Sequence, residues 1–154
     1  MRVPRGGGAT ERLTRVSAYA LCVDAGRVLL MRWNGAAGSA WTLPGGGLVF
    51  GEPPDDGARR EVLQETGLVV ELGDLLGVDS LRTGAQVAPP RPAPLDLHLL
   101  RIVYTGRVVG GLLRHEVQGP VDRAEWIPLD DLPSLRRVEL VDTALGWASP
   151  ARVG

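Results

Sequence analysis

Two glutamates one helical turn apart, Glu61 and Glu65, lie in the stretch GGGLVFGEPPDDGARREVLQETGL, residues 45–68. Pro54 to Thr66 reads as a helix. Proline at an early helical position gives up no hydrogen bond, Asp55 and Asp56 suit the positive end of the dipole, and Gly67 ends it. At about 100° per residue from Ala58, Val62 falls near 40°, Glu65 near 340° and Glu61 near 300°. The two carboxylates therefore flank the small apolar stripe that faces the core. Like charges at this spacing destabilise a helix unless a cation lies between them, and a half-buried carboxylate needs a partner. A divalent metal fits: Mg²⁺ takes one or two carboxylates, keeps several waters and completes its shell with substrate phosphates. The plain alternative is a solvated acidic face neutralised by Arg59, Arg60 or Arg114.

The neighbouring residues decide between the two. Counting from Gly46, the order is five residues, Glu52, seven residues, Arg60-Glu61-Val62, one residue, Gln64-Glu65, one residue, Gly67-Leu68. This resembles the Nudix box, G-x5-E-x7-R-E-U-x-E-E-x-G-U with U apolar. Six of the seven fixed identities and both apolar positions match. At ordinary residue frequencies, six such matches arise by chance about once in 10⁷ positions. The resemblance extends from the Trp41-Thr42-Leu43-Pro44 lead-in to Trp126-Ile127-Pro128-Leu129 before the last helix, covering residues 12 to 150.

What the resemblance implies is an α/β/α sandwich around a mixed β-sheet, in the α/β (α+β) class. It also implies Mg²⁺- or Mn²⁺-dependent hydrolysis of a nucleoside diphosphate linked to another moiety. Carried over residue by residue, Glu61 and Glu65 are the metal ligands and Glu52 supports metal or water. Arg60 orients the carboxylates, while Gly46 and Gly67 let the loop and the helix end fold. The chemistry agrees with the residues: metal ions neutralise pyrophosphate charge and lower the pKa of water, and a nearby glutamate takes a proton. Gln64 departs from the box, where the family has Glu; an amide oxygen ligates without the negative charge. That departure keeps a second reading open, a Nudix-fold module that binds a nucleotide or effector without cleaving it.

A carboxylate from outside the box could complete the site. Glu116, Asp122 and Glu125 precede Trp126, and Glu116 is the first choice, against a solvated strand-end charge. Trp33 could stack on a base or lie half-buried in the core, and Arg32 beside it could meet a phosphate. His98 and His115 lie in no metal-ligand pattern and read as strand histidines. Cys22, the single cysteine, sits in an apolar run and reads as a buried, inert thiol.

These side chains need a scaffold, and 154 residues at 44% hydrophobic suffice for one domain. Seventeen basic and eighteen acidic residues give a net charge of −1, which argues against a nucleic-acid-binding protein. No run approaches a membrane span and the N-terminus lacks the apolar segment of a signal peptide, so a cytoplasmic protein with a small-molecule substrate is expected. Family members often pair, so a homodimer is compatible with the resemblance. A Gly- and Arg-rich tail over residues 1–11 is expected to be disordered. Leu13–Val23 and Arg27–Trp33 read as a hairpin about Asp24-Ala25-Gly26, with a loop over Asn34–Ser39 and a short strand at Trp41–Leu43. Leu68–Leu81 and Leu95–Val109 read as strands flanking a proline-rich loop, Thr83–Pro94. Gly110-Gly111 reads as a turn into a return strand, Leu112–Val117. Trp126–Pro128 reads as a last strand and Val138–Trp147 as a closing helix with Val138, Val141, Leu145 and Ala148 inward.

Overall fold

The computed structural model describes residues 8–35, 37–87, 90–114 and 120–149. Its strands are β1 (Glu11–Leu21), β2 (Val23–Asp24), β3 (Arg27–Gly35), β4 (Gly38–Thr42), β5 (Gly45–Gly47), β6 (Leu68–Gln86), β7 (Leu95–Gly111) and β8 (Val121–Pro128). Helix α1 spans Pro54–Thr66, a 3₁₀ helix spans Leu129–Ser134, and α2 spans Glu139–Trp147. One sheet has the order β5-β1-β7-β6, with β1 parallel to β7 and the other pairs antiparallel. The second joins β2, β3 and β4 in order, and β8 pairs with the other edge of β3.

Alternation along the strands divides the core in two. Ala20, Cys22 and Leu29 pack with Val62 of α1, whereas Leu21, Val28 and Leu30 pack with Leu140, Val141 and Ala144 of α2. This is the expected α/β/α arrangement around mixed strands. Helix α1 begins and ends where its local signals place it. Asp55 and Asp56 in the first turn share Arg59, and Gly67 takes φ +77° while its N–H closes on the Leu63 carbonyl at 2.9 Å. Only glycine adopts that backbone readily.

Several expectations are corrected. The proline-rich loop is shorter than expected, because β6 runs on to Gln86, pairing Ala85 with Asp96 and Gln86 with Leu95 beyond an irregularity. The Asn34–Ser39 loop is largely hairpin, with Asn34 opposite Ser39 and Gly35 opposite Gly38. No return strand follows Gly111 among the described residues. Gly111 takes φ +82°, residues 112–114 are irregular, and the Arg114 N–H bonds to the Thr66 carbonyl at the end of α1. In α2 the fully buried stripe is Leu140, Val141 and Ala144; Val138, the N-cap, and Leu145 pack against that core as expected, whereas Ala148 is exposed. Of the expected tail, residues 1–7 lie outside the described residues, and Glu11 already opens β1. Among the described residues no helix is long and apolar enough to cross a membrane.

Candidate active site

Parallel pairing of β1 with β7 sets Arg15 opposite Leu99, Ser17 opposite Arg101 and Tyr19 opposite Val103. Arg15, Ser17 and Tyr19 thus share one face with Leu99 and Arg101. The other edge of β1 carries β5, three glycines paired as Ser17 with Gly47, Ala18 with Gly46 and Tyr19 with Gly45. Gly45 takes φ +148°, and a Cβ there would come within 2.3 Å of the Ala18 carbonyl oxygen. Close approach of the two backbones therefore requires glycine. Between this face and the second sheet lies a cavity of about 450 Å³, walled opposite by Met31, Trp33 and Val121, with Val138 and Leu140 from the start of α2. Glu61 and Glu65 enter it from α1 beside the glycines.

Arg60 organises the acidic side of this cavity. Its Nε donates to Glu52 Oε2 at 2.8 Å, and Nη2 donates to Glu52 Oε1 at 2.9 Å and to the Gly47 carbonyl at 3.1 Å. Nη1 donates to Glu61 Oε1 at 2.8 Å and to Gln64 Oε1 at 3.1 Å. The five guanidinium donors meet five acceptors, which only an arginine fork can do. Glu52 also accepts the Val49 N–H at 3.1 Å. These hydrogen bonds, the arginine's foremost, hold the Glu52 carboxyl down at about 2 and raise the Arg60 guanidinium above its ordinary value. Glu65 is buried, and its Oε2 accepts the Gly45 N–H at 3.0 Å. Gly46 leaves room for Glu61, since a Cβ there would stand 3.1 Å from the carboxyl group. Burial pushes the Tyr19 phenol above its usual range, against a hydrogen bond with Ser17 and the nearby Arg101.

The structure thus brings Glu52, Arg60, Glu61, Glu65, Gly46 and Trp33 around one region, Trp33 as an exposed wall of the cavity. It does not bring Arg32 there. Met31 and Trp33 face the cavity, so Arg32 between them points to the other face of β3. There it forms a two-pronged pair with Asp122 at 2.9 and 2.8 Å, its guanidinium 6.0 Å from the Trp41 ring centre. Asp122 and Glu125 are likewise placed elsewhere, on Arg32 and on Arg123. Glu116 and His115 lie outside the described residues. His98 is on the opposite face of the sheet, its Nε2 2.8 Å from Ser80 Oγ. Sequence reasoning missed Arg15, Tyr19 and Arg101, whose only signal is odd-numbered alternation in two strands that pair across 84 positions (Arg15 with Leu99).

Glu61 and Glu65 offer hard oxygen donors on one wall, and no third His, Cys, Asp or Glu converges with them as a metal cluster among the described residues. That donor set suits a magnesium-like ion, which takes few protein ligands and leaves room for phosphate, and does not suit a structural zinc.

Such an arrangement, a mixed sheet between two helices with an arginine-tied glutamate cluster at a glycine strand, defines a Nudix fold and its box. The NUDIX domain family model matches residues 11–144, and the chain belongs to that family. It is 33% identical over 108 residues to an ADP-ribose pyrophosphatase of Methanocaldococcus jannaschii, covering 70% of this chain and 57% of that protein. It is 31% identical over 121 residues to an oxidized purine nucleoside triphosphate hydrolase of Mus musculus, covering 78% and 70%. Among solved structures it resembles a MutT NUDIX hydrolase from Burkholderia pseudomallei, with a TM-score of 0.71, 27% identity, and 89% and 99% of the two chains covered.

Proposed function

We propose that the protein is a Mg²⁺-dependent (or Mn²⁺-dependent) pyrophosphohydrolase acting on a nucleoside diphosphate linked to another moiety. In this reading residues 12–150 act as one domain, in the cytoplasm, on a small molecule. The observation that carries it is Arg60, which ties Glu52, Glu61 and the Gly47 carbonyl into one rigid unit beside a nucleotide-sized cavity. The hydrolases among its relatives support the same chemistry.

Glu61 and Glu65 would hold the metal, which when bound neutralises phosphate charge and acidifies water. Both oxygens of Glu52 are committed to Arg60, and one also to Val49 N–H, so Glu52 anchors the cluster and is a poor proton acceptor. The backbone at Gly45–Gly47 lets phosphate approach without side-chain obstruction. Trp33 offers an exposed ring for a planar base.

The test is product release from a panel of nucleotide pyrophosphates with and without Mg²⁺, paired with Mn²⁺ calorimetry. E61Q and E65Q are each expected to lose most metal binding and turnover while keeping their unfolding temperature. Unchanged metal affinity in both variants overturns the assignment of the ligands. The second reading, a binding module, is favoured by Gln64, whose amide stands where the box has a carboxylate. A parent protein that binds nucleotide but cleaves nothing on the panel selects it.

A further inference from the structure

The cavity that carries the proposed reaction has a cationic side that the Nudix box does not contain. Two arginines line it, Arg15 and Arg101. Arg101 is buried and already committed, donating to Asp79 at 2.8 and 2.5 Å and to Glu139 at 2.7 Å. Arg60 has no donor to spare. Arg15 is exposed and, among the described residues, makes no hydrogen bond or ion pair. Its guanidinium nevertheless has a defined place. It lies against Gly47, where a Cβ would meet Nη2 at 2.8 Å and Nε at 3.1 Å.

Successive residues of β5 face opposite ways. Gly46 looks toward the Glu61 carboxyl and Gly47 toward the Arg15 guanidinium, so the side-chain-free strand separates a carboxylate from a guanidinium by one residue. A ligand laid along that edge meets the proposed metal ligands on one side and five free N–H donors on the other. A guanidinium fork matches two oxygens of one phosphoryl group, and it needs no metal to do so. Ser17, next on the same face, adds a hydroxyl to the same wall.

We propose that Arg15 forms an anion subsite that grips a phosphoryl group of the substrate across the glycine strand from Glu61 and Glu65. The proposal rests on the hydrolase reading for the identity of that substrate, and on the cavity alone for the phosphoryl group. It makes Arg15 a binding and specificity residue: it favours substrates whose pyrophosphate lies along β5, and its contribution is made already in the ground state.

The experiment compares the parent with R15Q and R15K. Inorganic pyrophosphate is titrated by calorimetry with and without Mg²⁺, and KM and kcat are measured on whichever nucleotide of the panel is cleaved. R15Q is expected to weaken pyrophosphate binding at least tenfold and to raise KM by a similar factor, with kcat within threefold. R15K is expected to recover part of the loss, since the charge returns without the fork. Unfolding temperatures within a degree or two of the parent show that the exposed side chain carries no fold. Pyrophosphate that binds parent and R15Q equally, or binds neither, overturns the subsite, as does a fall in kcat with KM unchanged. A parent that cleaves nothing on the panel defeats the hydrolase reading alone, because the pyrophosphate titration still decides on Arg15.

Discussion

Gln64 shows how much one side chain can matter without touching the cavity. It is exposed on α1, and its amide oxygen already faces Arg60 Nη1 at 3.1 Å. Gln64→Glu would therefore place its charge beside a cation, turning a hydrogen bond already assisted by the guanidinium charge into an ion pair. Repulsion from Glu61 and Glu65 opposes this, but Arg60 lies between the first pair and screens it. A carboxylate at 64 also competes with Glu61 for Arg60 Nη1, which leaves Glu61 freer to hold a hard cation. Turnover at saturating Mg²⁺ is expected to rise about tenfold, which requires roughly 1.4 kcal/mol of extra transition-state stabilisation. Steady-state rates of Q64E on the accepted substrate check this. Equal or lower turnover would show that Arg60, and not the missing charge, sets the output of the box.

At the level of elements, strands place residues that a linear motif cannot. The box was legible because its signals are local: Pro54 and Gly67 bound α1, and the spacing of Glu61 and Glu65 fixes their common face. Arg15 was not legible, since its address depends on β1 lying parallel to β7, a choice made by residues far away in the chain. The same dependence misplaced Arg32, whose neighbour Trp33 points into the cavity while Arg32 itself joins β3 to β8. Asp122 there is held down at about 2, chiefly by the Arg32 hydrogen bonds, with help from Asn34. A carboxylate whose pKa falls on folding stabilises the fold above its unfolded value, near 4, and loses that contribution as pH drops towards 2. R32M should therefore flatten the decline of stability between pH 4 and pH 2, measured by thermal unfolding, and leave KM within twofold of the parent. A large rise in KM would return Arg32 to the substrate site. Proline content is overruled in the same non-local way: the prolines after Gln86 suggest a loop from Thr83 on, yet pairing of Ala85 with Asp96 and of Gln86 with Leu95 carries β6 through to Gln86.

For the whole molecule the question is whether the two cores act together. Cys22 lies in the α1-side core, 1% exposed, and burial pushes its thiol up to about 11. In the native state it should resist a thiol reagent, and labelling then reports opening of the molecule. The sheets separate Cys22 from Leu140, which is 1% exposed in the α2-side core, but β1 and β3 contribute residues to both sides. If the sheets couple the layers, L140A lowers stability throughout, as L29A does within the Cys22 core. A buried Leu→Ala change costs about 2–5 kcal/mol, and the lower figure already multiplies the open population roughly 30-fold. Both variants are therefore expected to accelerate Cys22 labelling by that factor or more, in proportion to their loss of stability in urea. Acceleration by L29A alone, with L140A equally destabilised, would mean that the α2 layer opens by itself. The cavity between Val138, Leu140 and the glycine strand would then widen without unfolding α1, and the glutamate cluster would survive a motion that admits and releases substrate.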